Sequence, residues 1–150
     1  MSDNHTTSKL DDLITTLIDS VKGFEHSAEK AEAANYREFF TAMARDRREA
    51  VTTLQAASRA EGGTPADYGS AAATLHRRVE DLRHALGGGD AAIIKEVERG
   101  EDYLKEEFDR VLADERMSPA AMAAVRDAYA SVRRGHDRAS ALKHELKTAG

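Results

Sequence analysis

Apolar residues recur every three or four positions in the first part of the chain, a spacing that is typical of a helix burying one face. These positions are Leu10, Leu13, Ile14, Leu17, Ile18, Val21, Phe24, Ala28 and Ala31. Ser8 precedes all of them and is followed by Asp11 and Asp12, so we expect Ser8 to be the N-cap and the acidic pair to favour the first turn. The pattern predicts a helix from about residue 8 to residue 33, after a flexible segment over residues 1–7.

A second amphipathic stretch follows the first after a short turn. Asn35 and Glu38 resemble a capping box at its start, with Asn in the Ser/Thr place, and Gly62-Gly63 ends it. Its buried positions are predicted to be Tyr36, Phe39, Phe40, Met43, Val51 and Leu54. A shorter helical stretch then carries Leu75, Val79, Leu82 and Leu86. We interpret this shorter helix as a crossover between the second and third long helices.

Two more long helices are predicted in the rest of the chain. The third follows Gly87-Gly88-Gly89 and is expected to be capped by Asp90, and the fourth begins at Ser118-Pro119, an N-cap with proline at the first helical position. Their apolar positions are Ile93, Ile94, Val97, Leu104, Phe108, Val111 and Leu112 in the third and Met122, Val125, Tyr129 and Val132 in the fourth. The sequence therefore predicts an all-α single domain over residues 8–148. We expect an antiparallel four-helix bundle with the one-crossover topology of ferritin-like proteins.

The composition and the net charge of the chain argue against several classes of function. The 150 residues include no cysteine, which excludes disulfides, thiolate metal sites and cysteine nucleophiles and fits a reducing compartment. The sequence does not open on a basic region followed by an apolar run, and no stretch stays apolar for the ~18 residues of a membrane span. A formal net charge of −5 argues against a general nucleic-acid binder. We therefore expect a cytoplasmic protein that binds neither membranes nor nucleic acids.

Each long helix carries an ionisable residue where its apolar stripe predicts a hydrophobic one. On the second and third helices, Arg47 and Glu101 lie near the middle of the stripe. On the fourth, His136 follows Val132 by four residues, and on the first, Glu25 lies on one flank of the stripe. Measured from the helix ends at ~1.5 Å per residue, the four ionisable residues fall at similar depths. We predict that they form one buried polar layer, neutral when His136 is protonated, which fixes the helix register without a metal.

A metal centre is the alternative interpretation of these residues. Ferritin-like di-iron proteins use one Glu from each of two helices and a Glu-x-x-His motif from each of the other two, and this sequence contains no Glu-x-x-His. A degenerate site would use Glu25, Glu98, Glu101 and His136 to bind iron, manganese or zinc. Arg47 opposes such a site, because two unit positive charges about 4 Å apart repel by about 4 kcal/mol at an effective dielectric near 20.

Several segments, taken together, resemble one group of proteins. They are the stretch from Leu13-Ile14 to Val21-Lys22-Gly23-Phe24-Glu25, then Gly62-Gly63-Thr64-Pro65, Gly69-Ser70 with Leu75-His76-Arg77, Glu98-Arg99-Gly100-Glu101-Asp102 and Gly135-His136-Asp137-Arg138. In this order they are similar to the bacterial four-helix-bundle proteins of unknown function in the ferritin-like superfamily. The resemblance implies a ferritin-like fold and no established activity.

Two functional hypotheses follow from these observations. The first is a non-catalytic protein with a structural, stress-associated or partner-binding role, in which the polar layer is an internal clamp and no cofactor takes part. The second is a degenerate metal-binding or oxidase bundle that uses the four-residue set given above. Self-association as a homo-oligomer is a third possibility, if the crossover helix leaves an apolar face uncovered. The sequence identifies no protein partner.

Overall fold

The computed structural model describes residues 4–69 and 89–149, and these residues form four α-helices. The helices are α1 (Asn4–Lys30), α2 (Ala34–Ala60), α3 (Gly89–Leu112) and α4 (Pro119–Ala149). No strand occurs in either described range, so the prediction of an all-α chain with four long helices is confirmed there. The predicted crossover helix with Leu75, Val79, Leu82 and Leu86 lies outside the described residues.

The first turn of α1 starts earlier than the sequence predicts. The helix begins at Asn4, so its predicted start at Ser8 is wrong, and residues 4–7 of the predicted flexible segment are helical. Thr6 is fully buried, and its Oγ1 accepts a hydrogen bond of 3.2 Å from the N–H of Ser118. Because that partner lies 112 residues further along the chain, the local pattern around the helix start contains no sign of it.

The turn between α1 and α2 is capped by a residue of α3. Ala33 is the N-cap of α2 without a side-chain hydrogen bond, and Asn35 lies inside the helix, so the predicted capping box is wrong. Asp90, in the first turn of α3, accepts hydrogen bonds from the N–H groups of Glu32 at 2.7 Å and Ala33 at 2.9 Å. Its carboxylate therefore stabilises this turn, whereas the sequence predicts it as the cap of α3.

Two other helix ends agree with the prediction. Gly62 has a φ of +84° and the N–H of Gly63 donates to the carbonyl of Ser58 at 2.8 Å, which is a C-terminal cap that favours glycine. Ser118 caps α4, because its Oγ accepts a hydrogen bond of 3.2 Å from the N–H of Ala121. In both places the capping residues are local, so sequence alone could identify them.

Two apolar clusters fill the space between the helices. The first contains Leu10, Leu13, Ile14, Leu17, Ile18, Val21, Ala50, Val51, Leu54, Leu104, Phe108, Val111, Met117, Ala121, Met122, Val125, Ala128 and Val132. The second contains Phe24, Ala31, Phe40, Met43, Ala44, Ile93, Ile94, Val97 and Ala139. α1 packs mainly against α2, and α4 packs against both α2 and α3. None of the described helices combines the length and the hydrophobicity of a transmembrane span.

Candidate functional site

A buried polar layer separates the two apolar clusters. On α2, Arg47 lies midway between Met43 of the second cluster and Val51 of the first. On α3, Glu101 follows Val97 of the second cluster by four residues. Arg47 is fully buried and Glu101 is 2% exposed, so both charges lie inside the protein.

The Arg47 guanidinium and the Glu101 carboxylate form a bidentate pair. Nη1 donates to Oε1 at 3.0 Å and Nη2 donates to Oε2 at 2.6 Å. Two parallel hydrogen bonds of this kind fix the orientation of both groups, and each is stronger than a hydrogen bond between neutral groups. The buried salt bridge that the sequence predicts at this depth is therefore confirmed for Arg47 and Glu101.

The other two helices, α1 and α4, accept further hydrogen bonds from the Arg47 guanidinium. Ser20 of α1 accepts a hydrogen bond from Nη1 at 2.5 Å. Ser131 of α4 accepts one from Nε through its hydroxyl at 3.2 Å and one from Nη2 through its carbonyl at 3.5 Å. The guanidinium carbon also lies 5.2 Å from the centroid of the Phe24 ring, within the range of a cation–π contact. All four helices thus contribute to the environment of a single cation.

Ser20 and Ser131 were missed by reasoning from the sequence. Both are buried on the apolar stripes of their helices, with 4% and 3% exposure. A serine inside a helix is a weak signal, because its hydroxyl often bonds a carbonyl of its own helix. The signal that could have identified them is a small hydroxyl on a stripe that also has to surround a buried arginine.

Gly135 allows the backbone of α4 to approach the polar layer. A Cβ atom at this buried position would overlap Arg47 Nη2 and Glu101 Oε2 and would lie 2.9 Å from the terminal carbon of Met43. Ends of long side chains can often move aside, but here the bidentate pair fixes both of them. A side chain larger than that of glycine therefore does not fit at position 135 beside the Arg47–Glu101 pair.

Glu25 does not join the polar layer. Its carboxylate lies 2.6 Å from Arg48 Nη2 and 3.8 Å from Lys22 Nζ, and its side chain is 39% exposed. The Arg48 guanidinium also stacks over the ring of Tyr68 at 4.9 Å from its centroid. The flank position that the sequence assigns to Glu25 thus directs its carboxylate to Arg48 and not to Arg47.

His136 also lies outside the polar layer, in a half-buried position between two carboxylates. Its Nε2 lies 2.7 Å from Asp102 Oδ1 and its Nδ1 lies 3.2 Å from Asp137 Oδ1. Burial alone would lower the pKa of His136, but these two carboxylates raise it above its ordinary value. His136 is thus the neighbour of Asp102 and not of Glu101.

Glu98 lies one turn before Asp102 on α3 and belongs to the same network. Lys143 Nζ of α4 lies 2.7 Å from Glu98 Oε2. Burial would raise the pKa of Glu98, but hydrogen bonds with Asp102 and Lys143 lower it overall. Burial and the facing Glu98 carboxyl raise the pKa of Asp102, although His136 opposes this change. We call Glu98, Asp102, His136, Asp137 and Lys143 the acid–base cluster.

The four residues considered as alternative metal ligands are divided among separate partners. The pairs are Glu101 with Arg47, Glu25 with Arg48, Glu98 with Lys143 and His136 with Asp102. Within residues 4–69 and 89–149, no group of three or more His, Asp or Glu side chains is arranged to hold a metal ion. A cation at these residues would have to displace partners that the chain itself supplies.

A family model matches most of the chain. The model of a domain of unknown function (DUF2383) aligns with residues 5–114. No curated protein and no solved structure gave a significant match. The aligned region contains Ser20, Arg47 and Glu101, whereas α4 with Ser131 and Gly135 lies beyond it. The match therefore includes three of the four helices that surround the polar layer.

Proposed function

Because this chain belongs to the DUF2383 family of domains of unknown function, its family leaves the activity open, and we propose that it is a non-catalytic helical bundle. Its role is structural, stress-associated or partner-binding, and no cofactor takes part. The observation that carries the proposal is the position of Arg47, whose fully buried guanidinium lies between all four helices.

The position of Arg47 works against a metal centre of the ferritin-like kind. Such centres need inward-facing carboxylates that are free to bind metal, and both Glu101 oxygens already accept hydrogen bonds from the guanidinium. A metal ion beside Arg47 would also meet a like charge, and even unit charges about 4 Å apart repel by roughly 4 kcal/mol at an effective dielectric near 20.

The polar layer acts instead as an internal clamp on the register of the helices. A buried ion pair adds little net stability over a well-packed apolar pair, but any packing in which one charge loses its partner is strongly disfavoured. Sliding α3 by one residue would move Glu101 by about 1.5 Å along the axis and turn it by about 100°. That shift would break both hydrogen bonds to Arg47, so the clamp selects one arrangement of the helices.

We also propose the antiparallel arrangement and the ferritin-like, one-crossover topology that the sequence predicts. Glu61, just after α2, is hydrogen-bonded to Ser118, just before α4, so these two helix ends are neighbours. Asp90, at the start of α3, contacts Glu32 and Ala33 in the turn between α1 and α2. These contacts support a topology in which α2 ends and α3 begins at opposite ends of the bundle.

A degenerate metal-binding or oxidase protein remains the competing proposal. It would use iron, manganese or zinc at Glu25, Glu98, Glu101 and His136. Its support is limited to Glu98 and His136, which belong to one cluster. Glu101 and Glu25 lie in two other networks, so a shared site would require all three networks to rearrange.

Metal analysis of the intact chain separates the two proposals. Protein stripped with a chelator is incubated with excess Fe²⁺, Mn²⁺ or Zn²⁺ under reducing conditions, desalted and analysed by mass spectrometry for bound metal. We expect less than stoichiometric metal in every case, and no oxygen consumption after addition of Fe²⁺. Stoichiometric metal that is lost in Glu98→Gln but kept in Glu106→Gln, an exposed glutamate of the same helix, would overturn the proposal.

The location and the partners of the protein remain predictions. We expect the cytoplasm, because the 150 residues contain no cysteine, and no nucleic-acid partner, because the net charge is −5. Self-association is decided by the mass in solution, which light scattering compares with the 16.4 kDa of one chain.

A further inference from the structure

The segment that follows α2 lies in a surface groove between α1 and α2. The N–H of Ala66 donates a hydrogen bond of 2.8 Å to Asp11 Oδ1 of α1, and Gln55 Nε2 of α2 donates one of 3.0 Å to the carbonyl of Ala66. One helix thus binds the main-chain donor of this residue, and the other helix binds its main-chain acceptor. We call residues 64–69 the strap.

The ring of Tyr68, two residues after Ala66, is held by one cation from each helix. Lys22 Nζ of α1 lies 5.5 Å from the ring centroid, and the guanidinium carbon of Arg48 on α2 lies 4.9 Å from it. Both distances are within the range of a cation–π contact. The Glu25 carboxylate lies 3.8 Å from Lys22 Nζ and 2.6 Å from Arg48 Nη2, so it keeps both cations beside the ring.

The strap fills only part of the groove. Lys22 and Arg48 lie nearer along the chain to the turn between α1 and α2 than Asp11 and Gln55 do, so the strap runs from the end of α2 back towards that turn. Next to the two cations is an open cavity of about 340 Å³, which is lined by Glu25, Ala28, Thr41, Ala44, Arg45 and Arg48. A longer peptide in the groove would therefore have room beyond the ring of Tyr68.

The contacts of the strap are of a kind that a peptide from another protein could also make. Two of them use the main chain of one residue, so any residue except proline, which has no N–H, could take its place. The others use one aromatic ring. In several modes of peptide recognition, main-chain hydrogen bonds give affinity and a pocket for a side chain gives specificity.

The strap can leave the groove while the helices stay folded. Gly62 and Gly63 precede it and Gly69 ends it, so residues with a flexible backbone flank it on both sides. Its residues 64–67 have no regular secondary structure, and Ala66 and Tyr68 are only partly buried against the first apolar cluster. Segments with few buried apolar contacts open at a lower free energy than the fold as a whole.

We propose that the groove between α1 and α2 is a binding site for a peptide segment of a partner protein, and that the strap occupies this site in the unbound protein as an intramolecular competitor. The partner segment has Tyr or Phe two positions after a residue, other than proline, whose N–H and carbonyl meet Asp11 and Gln55. Neither the polar layer nor the acid–base cluster takes part in the site. The inference is therefore independent of the proposed clamp at Arg47.

Titration of a peptide into the intact protein tests the site. The peptide has the sequence of residues 63–69 with both ends blocked, and NMR of isotope-labelled protein follows the amide shifts. We expect saturable shifts around Asp11, Lys22, Arg48 and Gln55. Binding should be about fivefold to tenfold tighter in Tyr68→Ala, because the strap of this variant has lost its cation–π contacts and competes less. A peptide that itself carries Tyr68→Ala should bind correspondingly more weakly.

Two further substitutions show whether the peptide binds in the groove. Added to Tyr68→Ala, Asp11→Ala removes the acceptor for the N–H of the peptide and should weaken binding by about fivefold. The matched control is Asp12→Ala, at an exposed position of the same helix, which should change the affinity little. Circular dichroism and urea denaturation of each variant show that the helices remain folded.

Three outcomes would overturn the proposal. The first is the absence of a saturable shift at millimolar peptide in both the unmodified protein and Tyr68→Ala. The second is equal affinity for the peptide and its Tyr68→Ala version. The third is a mass of two chains in light scattering that falls to one chain in Tyr68→Ala, because the strap would then bind a second copy of this chain and not a different partner.

Discussion

Arg47 and Arg48 are neighbours on α2, and each places Nη2 2.6 Å from a glutamate oxygen. Arg47 pairs with Glu101, and the two side chains are 0% and 2% exposed. Arg48 pairs with Glu25, and those side chains are 44% and 39% exposed. Successive residues of a helix point about 100° apart, so the first arginine faces the core and the second faces solvent. The same distance therefore occurs in two very different dielectric surroundings.

Burial, and not the distance between the charged groups, decides how much each ion pair contributes to the stability of the fold. An exposed ion pair is screened by water and is typically worth about 0–1 kcal/mol. Removing one partner of a buried pair leaves an uncompensated charge in the interior, which costs about 3–5 kcal/mol, although replacing both partners by apolar residues is often neutral. We therefore expect the Arg47–Glu101 pair to specify the packing of the helices more than it raises their net stability.

The largest expected effect is that of Arg47→Ala. This change should lower the free energy of unfolding by about 3–5 kcal/mol, because Glu101 stays buried without its cation. Urea denaturation followed by circular dichroism measures the loss. A loss below about 1 kcal/mol would show that the guanidinium is not a needed partner.

A double substitution tests whether the unpaired charge of Glu101 causes the loss of stability in Arg47→Ala. Arg47→Met combined with Glu101→Leu removes both charges and leaves apolar side chains of similar length. We expect it to recover most of the stability that Arg47→Ala loses. If the double variant were as unstable as the single one, the charges would not be the source of the effect.

Gly135→Ala should have the next largest effect. The added methyl group would overlap the ends of Arg47 and Glu101, and overpacking of a core typically costs about 1–3 kcal/mol. The better helix propensity of alanine offsets up to about 1 kcal/mol of this, so we expect a net loss of about 1–2 kcal/mol. Gly69→Ala is the control, because among the described residues a Cβ atom there meets only Asp67 Oδ1, at 3.5 Å. Equal stability of the two variants would contradict the tight approach of α4.

Ser20→Ala should have a smaller effect on the same pair. It removes one hydrogen bond to Arg47 Nη1, which keeps its bond to Glu101, so we expect a loss of about 1 kcal/mol. Thermal or urea unfolding measures it against Ser140→Ala, an exposed serine of α4 whose replacement should change stability by less than about 0.5 kcal/mol. Equal stability of the two variants would mean that Ser20 gives Arg47 no support.

The helices could be predicted from the sequence, but some of their ends could not. Amphipathic spacing repeats over many turns, so each long helix is strongly indicated. Ends with a local cap, at Gly62 and Ser118, were also predictable. The ends that were missed depend on distant partners, because Thr6 extends α1 by a bond to a residue near the start of α4 and Asp90 caps a turn 57 residues before it.

The centre of the polar layer could be predicted, and its edges could not. Arg47 and Glu101 lie in the middle of their stripes, so they face the interior for any reasonable crossing angle of the helices. Glu25 lies on a flank, where apolar spacing alone does not tell which of two adjacent arginines it faces. The geometry resolves this choice in favour of Arg48.

The misplacement of His136 has a separate cause, which lies in the small residues of α4. Its buried stripe is formed largely by Ala128, Val132, Gly135 and Ala139. Alanine and glycine carry little hydrophobic signal, so the larger Tyr129 drew the predicted stripe to one side. His136 then appeared central, although it lies at the edge of the true stripe, next to Asp102.

Arg48→Ala should have the smallest effect and is the most direct test of the comparison between the two arginines. It removes an exposed ion pair of the same length as the buried one and a cation–π contact with Tyr68, so we expect a loss of at most about 1 kcal/mol. Most of that loss should disappear in about 1 M salt, where the Debye length is about 3 Å.

The loss caused by Arg47→Ala should be nearly the same at low and high salt, because water and ions do not reach the buried pair. Denaturation of both variants at the two salt concentrations measures this difference. A loss for Arg48→Ala that matched that of Arg47→Ala and resisted salt would mean that bond length, and not burial, governs these pairs.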